Sequence, residues 1–212
     1  MENKNKEIRM FTGELEARMD EERQKRTIEG TPIVFGERTN LGWWDEIIDA
    51  GALDNADLKD VRLLVNHDTK QLPLARSRNN NANSTMQLTV GEDGLHIRAD
   101  LDVENNPRAA EVLSAVERKD VTGMSFMFTV DKDAWEDLES EHPTRHITGI
   151  GRIFETSICT FPAYEQTEVF ARSLESVRDE LESAKAALDS AKHTEELRKA
   201  LLERSMNLCR KD

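Results

Sequence analysis

The stretch VTGMSFMFTV, Val121–Val130, decides how the rest of the chain is read. It is rich in Met, Phe and Val, follows directly on a lysine-aspartate pair, and holds one small hydroxyl between Met124 and Phe126. Side chains of an extended chain alternate, so Met124, Phe126, Phe128 and Val130 share one face while Ser125, Met127 and Thr129 share the other. The serine therefore sits on a rigid element. A serine in a strand is ordinarily filler whose hydroxyl bonds a nearby carbonyl, and rigidity alone does not make it a nucleophile.

Outward from this strand, the same signals recur between residues 31 and 164. TPIVFG, VRLLVNHD, MQLTVGEDGLHIRADL and RHITGIGRIFETSICTF are β-branched and apolar runs bounded by Gly, Asn, Asp and Pro. GEDG, between two alternating runs, predicts a hairpin. LGWWDEIIDAGAL reads as a short helix or loop ending at Gly51. In NPRAAEVLSAVERKD, Pro107 suits an early helical position, and Ala109, Val112, Leu113 and Val116 recur at helical spacing. NNNANS, residues 79–84, reads as a flexible polar loop. The first thirty residues fit either a charged helix or two strands joined by a polar turn around Asp20 to Gln24. These patterns give an α+β fold, mainly antiparallel β, with a few helices packed on the sheet.

Composition limits what such a fold does. The chain has 212 residues, 33% of them charged, with a formal net charge of -13. That balance opposes binding to a phosphate backbone, so no nucleic acid is expected as a partner. No stretch has the apolar length of a signal peptide or a membrane span, which predicts a protein that stays in the cytoplasm where it is made. Cys159 and Cys209 have no metal-type spacing and read as free thiols, and neither a metal nor a cofactor is expected.

After Tyr164 the chain changes character. Gly and Pro vanish from Ser173 onward, and Leu174, Val177, Leu181, Ala184, Leu188 and Ala191 step by three and four before the phase shifts at Leu197, Leu201 and Met206. This predicts a separate unit: residues 171–212 as a long amphipathic helix, coiled-coil-like, distinct from a domain spanning 1–170. Its narrow seam calls for a partner, or for folding back onto its own domain.

Three residues are candidates for chemistry. Ser125 is the hydroxyl. A hydroxyl needs a base near neutral pH, and His67 follows an apolar strand in NHD, where a ring can be both held and reachable. Alternation in GRIFETSICTF puts Ile153, Glu155, Ser157, Cys159 and Phe161 on one face, so Glu155 is a carboxylate among apolar and small neighbours. Such a group needs a donor: an imidazole N–H, or else Arg152 or Arg76. His142 and His146 flank Pro143 and Thr144 and do not form a helical metal pair. The two glycines of Gly149 to Arg152 permit close approach, either to an oxyanion or as a simple bulge.

The order of RTIEGTPIVFGERT, WWDEIIDAGAL, DVRLLVNHD, VERKDVTGMSFMFTV and RHITGIGRIFETSICTFPAYEQT resembles the prohead proteases of tailed bacteriophages, serine proteases of capsid maturation related in fold to the herpesvirus assemblins. The resemblance covers roughly residues 7–170 and favours strands at the N-terminus. It implies an assemblin-like β-barrel core with flanking helices, to which the periodicity after Ser173 adds the long C-terminal helix. It further implies a serine endopeptidase inside the immature capsid that cuts the scaffold or a scaffold-like segment of the major capsid protein, and often itself. By position, Ser125 in GMSF matches the nucleophile and His67 in NHD the base. Glu155 matches the third member, with His146 its rival. The C-terminal helix would then recruit the enzyme to scaffold or capsid subunits, or join two copies. The competing expectation is a non-catalytic scaffold or assembly chaperone on a protease-like fold.

Overall fold

The structure, a computed structural model, describes residues 6–11, 15–20, 25–160 and 168–209, with the side chains of 10–11, 168–173 and 204–209 left aside. The expected turn at Asp20 to Gln24 and the FPAY segment lie largely outside these residues. The N-terminal region is extended: β1 (Lys6–Phe11), β2 (Leu15–Asp20) and β3 (Lys25–Val34). β4 (Arg38–Asn40), β5 (Asp45–Ile48), β6 (Val61–Val65) and β7 (Ala75–Ser77) follow. β8 (Met86–Val90) and β9 (Gly94–Leu101) form the hairpin foreseen at GEDG. After α1 (Pro107–Glu117) come the two longest strands, β10 (Gly123–Glu136) and β11 (Thr144–Cys159), and then α2 (Glu168–Cys209).

β1, β10, β11, β5 and β4 lie in that order in one sheet, with β6 on the end of β11 beyond β5 and β7 on β6. β2, β3, β9 and β8 make a second sheet. One apolar cluster draws on both, from Ile28, Ile33, Leu95 and Ile97 to Phe126, Phe128 and Ile158, and α1 adds Ala109, Leu113 and Val116. α1 begins as its sequence predicts: the Asn106 side chain accepts from the backbone N–H of Arg108 and Ala109, and Pro107 opens the first turn.

Two expectations are corrected. DEII, taken as part of a helix or loop, is strand β5, parallel to Thr144–Ile147 of β11 and antiparallel to β4. A four-residue strand carries almost no periodicity of its own, and its two neighbours impose it. The closed barrel is also absent, because among the described residues the two sheets share no ladder. On the outer edge of β8 the Asn80 side chain bonds the main chain of Leu88. Its Nδ2 donates to Leu88 O at 2.7 Å and its Oδ1 accepts from Leu88 N at 2.9 Å, as a neighbouring strand would. Asn79 and Asn80 take left-handed φ values of 56° and 51° to reach that position, which Asn tolerates. The loop expected to be flexible thus caps a strand edge.

α2 behaves as two halves. Val177 and Leu181 are buried with Trp44, beside Leu174, Trp135 and Leu138, so the first half folds back on its own domain. Residues 191–203 are exposed throughout, Leu197, Leu201 and Leu202 among them. No helix among the described residues is long and apolar enough to cross a membrane.

A buried ionic cluster, unforeseen in the sequence, ties β1, β5, β10 and β11 together. Arg9 bonds both Glu46 oxygens and Glu7 Oε2 (2.5 Å). Arg145 bonds Glu7 at 2.9 Å, Glu46 at 3.2 Å and Asp133 at 2.6 Å. Burial pushes the Glu7 carboxyl up, but the Arg9 and Arg145 guanidiniums outweigh it and hold it below the usual carboxylate range. Removing one cation from such a cluster strands buried carboxylates. Arg145→Ala is therefore expected to destabilise the protein by about 3–5 kcal/mol in urea unfolding, whereas Arg18→Ala, in an exposed pair with Glu16, is expected to change the midpoint little.

Candidate active site

The site is assembled on β11. β6 runs parallel to its last turn of pairing, with Arg62, Leu64 and Val65 in register with Glu155, Ser157 and Ile158. The chain then reverses through two consecutive left-handed residues, Asn66 (φ 52°) and His67 (φ 57°). Non-glycine residues enter that region at a cost, and it is offset here by specific bonds. Asn66 Nδ2 donates to Thr160 Oγ1 at 2.6 Å, Thr160 N donates to Asn66 Oδ1 at 3.0 Å, and the His67 backbone N–H donates to Ser157 Oγ at 3.0 Å.

This reversal lays the imidazole against β11. His67 Nδ1 is 2.6 Å from Glu155 Oε1, and the Ser157 hydroxyl donates to Glu155 Oε2 at 2.6 Å. Glu155 is 3% exposed, so its two bonds satisfy a carboxylate that water does not reach. Because a carboxylate is an acceptor, Nδ1 carries the hydrogen, and in the neutral ring Nε2 presents its lone pair. His67 Nε2 is buried and has no hydrogen-bond partner among the described residues.

Ser125 lies one strand away. In the antiparallel pairing of β10 with β11 it stands opposite Ser157, and Met127 stands opposite Glu155. Opposed residues of such a pair share a face, so Ser125, Ser157 and Glu155 are on the side where His67 folds over. Ser125 is fully buried and its hydroxyl donates to Arg9 O of β1 at 2.6 Å. The structure thus bonds His67 directly to Glu155 and sets Ser125 on the adjoining strand, its hydroxyl turned to the other neighbour.

The face assignment along β11 needs one correction. A register shift leaves Phe154 unpaired between Glu155, opposite Met127, and Ile153, opposite Phe128. Strict alternation would put Ile153 with Glu155; the bulge puts Ile153 in the apolar core instead. Lys6 Nζ (4.3 Å) and Arg152 Cζ (4.9 Å) lie over the Phe154 ring.

The competing partners and residues sit elsewhere. Arg76 bonds Asp60 and Arg152 lies 3.8 Å from Asp57, so neither takes Glu155. His146 is eleven residues before Ser157 on the same strand, roughly 35 Å along it, where it bonds Asp49 and Glu136. His142 bonds Asn40 and Asp45, His96 bonds Thr31 and Asp93, and His193 is exposed on α2. Gly149 pairs with Lys132 in the irregular part of the ladder, and Gly151 O accepts from Asp57 N. That segment is a bulge some 20 Å along the strand from Ser157. Cys159 is buried and free, and burial, with the Glu155 charge, pushes its thiol up to about 12, which keeps it protonated and unreactive. The side chain of Cys209 lies outside the described residues.

Ser157 is the residue that sequence reasoning missed. Its face was legible, but the only signal of its role is its place two residues after Glu155 and directly opposite Ser125.

A hydroxyl, an oriented imidazole and a buried carboxylate on one face of one sheet are the parts of a nucleophilic hydrolase. Residues 13–180 match the family described as caudovirus prohead serine protease, and the chain belongs to that family. It is also similar to the prohead protease of Enterobacteria phage HK97, 32% identical over 159 residues that cover 71% of this chain and 64% of the relative. The chain therefore spans less than two thirds of that relative's length. No solved structure matches it.

His146 is expected to show itself in stability. Its hydrogen bond to Asp49, with further help from Glu136 and against some burial, raises its affinity for a proton above the ordinary value. The stabilisation it contributes is fully present below the unfolded pKa and fades as pH rises through the higher folded value. The difference in urea midpoint between wild type and His146→Asn is therefore expected to be larger at about pH 5.5 than at about pH 9.

Proposed function

We propose that the chain is a serine endopeptidase of phage capsid maturation. In this reading Ser125 attacks the peptide carbonyl, His67 Nε2 removes its proton, and Glu155 fixes the ring tautomer and stabilises the imidazolium. The observation that carries it is the 2.6 Å bond from His67 Nδ1 to Glu155, which leaves Nε2 buried and, among the described residues, without a hydrogen-bond partner on the face that holds Ser125. Proton removal by a positioned base is worth roughly 10² to 10⁴ in rate.

One movement is required. The Ser125 hydroxyl donates to Arg9 O, and catalysis needs that hydrogen directed to His67 Nε2. A serine side chain has three staggered positions, so rotation about its first torsion is the smallest change that redirects the oxygen without moving β10.

The substrates in this reading are the scaffold protein, or the scaffold segment of the major capsid protein, and the enzyme's own chain, cut inside the prohead. The exposed end of α2, with Leu197, Leu201 and Leu202, offers the surface that reaches scaffold, capsid subunits or a second copy. Residues 1–170 then form the protease domain and 171–212 the recruiting helix.

The test is co-expression with the capsid and scaffold proteins, with and without Ser125→Ala. The wild type is expected to process them and itself, and Ser125→Ala to lower that rate by roughly 10³ to 10⁶. If wild type and variant both leave every protein full length, the chain is a scaffold or chaperone on a protease fold.

A further inference from the structure

Ser157 uses its single hydroxyl twice. Its oxygen accepts the backbone N–H of His67 at 3.0 Å, and its hydrogen goes to Glu155 Oε2 at 2.6 Å. We propose that Ser157 is the positioning residue of the site, one fully buried hydroxyl that fixes both the main chain of His67 and the carboxylate that orients its ring. The inference rests on the assignment of Ser125 and His67 as nucleophile and base.

The geometry leaves little slack. A carboxylate held by one bond turns freely about its terminal torsion, whose energy wells are broad. Glu155 is held at both oxygens, Oε1 by the ring and Oε2 by Ser157, and its plane is fixed. The left-handed backbone of His67 points its N–H at Ser157 Oγ, and that bond offsets the strain of the conformation. A hydroxyl has one hydrogen to give. Since the carboxylate takes it, the lone pair of Ser157 faces the His67 N–H, and the two bonds determine each other's direction.

The position matters as much as the bonds. Ser157 is the β11 residue directly opposite Ser125. Any drift of His67 relative to Ser157 is therefore a drift relative to the nucleophile, across two strands that main-chain hydrogen bonds hold at constant spacing. Displacements near 1 Å cost reactions of this kind about 10²-fold. Ser125 and Ser157, paired across the ladder, thus divide the labour: Ser125 bonds a main-chain carbonyl of β1 and must turn to reach the base, while Ser157 bonds the other two members of the site and stays.

The test uses the full chain, a peptide spanning a processed junction as substrate, and the variants Ser157→Ala and Ser157→Thr. We expect Ser157→Ala to lower kcat by about 10²-fold with KM nearly unchanged. The far-downfield proton resonance of the His67 Nδ1–H bonded to Glu155 should move or disappear. Ser157→Thr keeps the hydroxyl and should recover most of both. If Ser157→Ala does not fold, Ser157→Cys, with a weaker donor in the same place, is expected to fall between wild type and complete loss. The inference is overturned if a folded Ser157→Ala or Ser157→Cys protein keeps the wild-type kcat, or if activity falls only with the folded fraction while the resonance stays put. A folded Ser157→Thr protein no better than Ser157→Ala also overturns it. A wild type without Ser125-dependent hydrolysis sinks the underlying assignment too, and is distinguished by the wild type itself being inactive.

Discussion

Both edges of β11 are committed to main-chain hydrogen bonds, and everything around the site inherits its position from them. β10 runs along one edge for nearly its whole length; the other edge is shared, β5 taking its beginning and β6 its end. A strand bonded on both sides cannot slide without breaking both ladders, and a slip of one residue would exchange its faces. Glu155 and Ser157 would then enter the apolar core, and Thr156 and Ile158 would stand beside Ser125. Fold and site therefore depend on the same register. The bulge at Phe154 is part of that arrangement, since it allows Ile153 to join the core while Glu155 faces the other way.

The ionic cluster does for β1 what the ladder does for β11. β1 is an edge strand, with β10 on one side only, yet Arg9 is fastened by Glu46 of β5 and by Glu7, which Arg145 of β11 also holds. Buried ions are costly to bring out of water, and their mutual bonds repay that only when every partner is in place. Such a cluster favours one placement of the strand over others more than it adds to stability. The same residue that is anchored by its side chain offers its carbonyl to Ser125. The location of the Ser125 hydroxyl hydrogen is thus tied to charges on three other strands.

Much of this was legible in the chain. Long runs such as VTGMSFMFTV and GRIFETSIC have a periodicity strong enough to identify strands, and Pro107 with its helical repeat identifies α1. His67, Glu155 and Ser125 were each marked by a local oddity: a ring at a strand end, a carboxylate among apolar neighbours, a hydroxyl in an apolar run. What could not be read was whatever depends on a partner far away in sequence. DEII becomes a strand only because β4 and β11 flank it. Asn80 looks like loop filler until Leu88 is placed beside it. The bulge at Phe154 breaks an alternation that the sequence displays without interruption. Arg9, Glu46 and Arg145 look like any surface charges, because nothing in their local sequence announces that they meet.

The direction of the Ser125 hydroxyl has a consequence for the proposed assignment of this serine as a nucleophile. A carbonyl can hold a hydroxyl hydrogen but cannot take it away, so on that assignment the serine oxygen would gain no basic assistance while Arg9 is its acceptor. Electrophiles such as fluorophosphonates sense that difference directly, since they bond to a serine at a speed set by how readily its proton departs. On the proposed assignment, the pace of such labelling would report whether the Ser125 hydroxyl is still held by the carbonyl of Arg9 on β1.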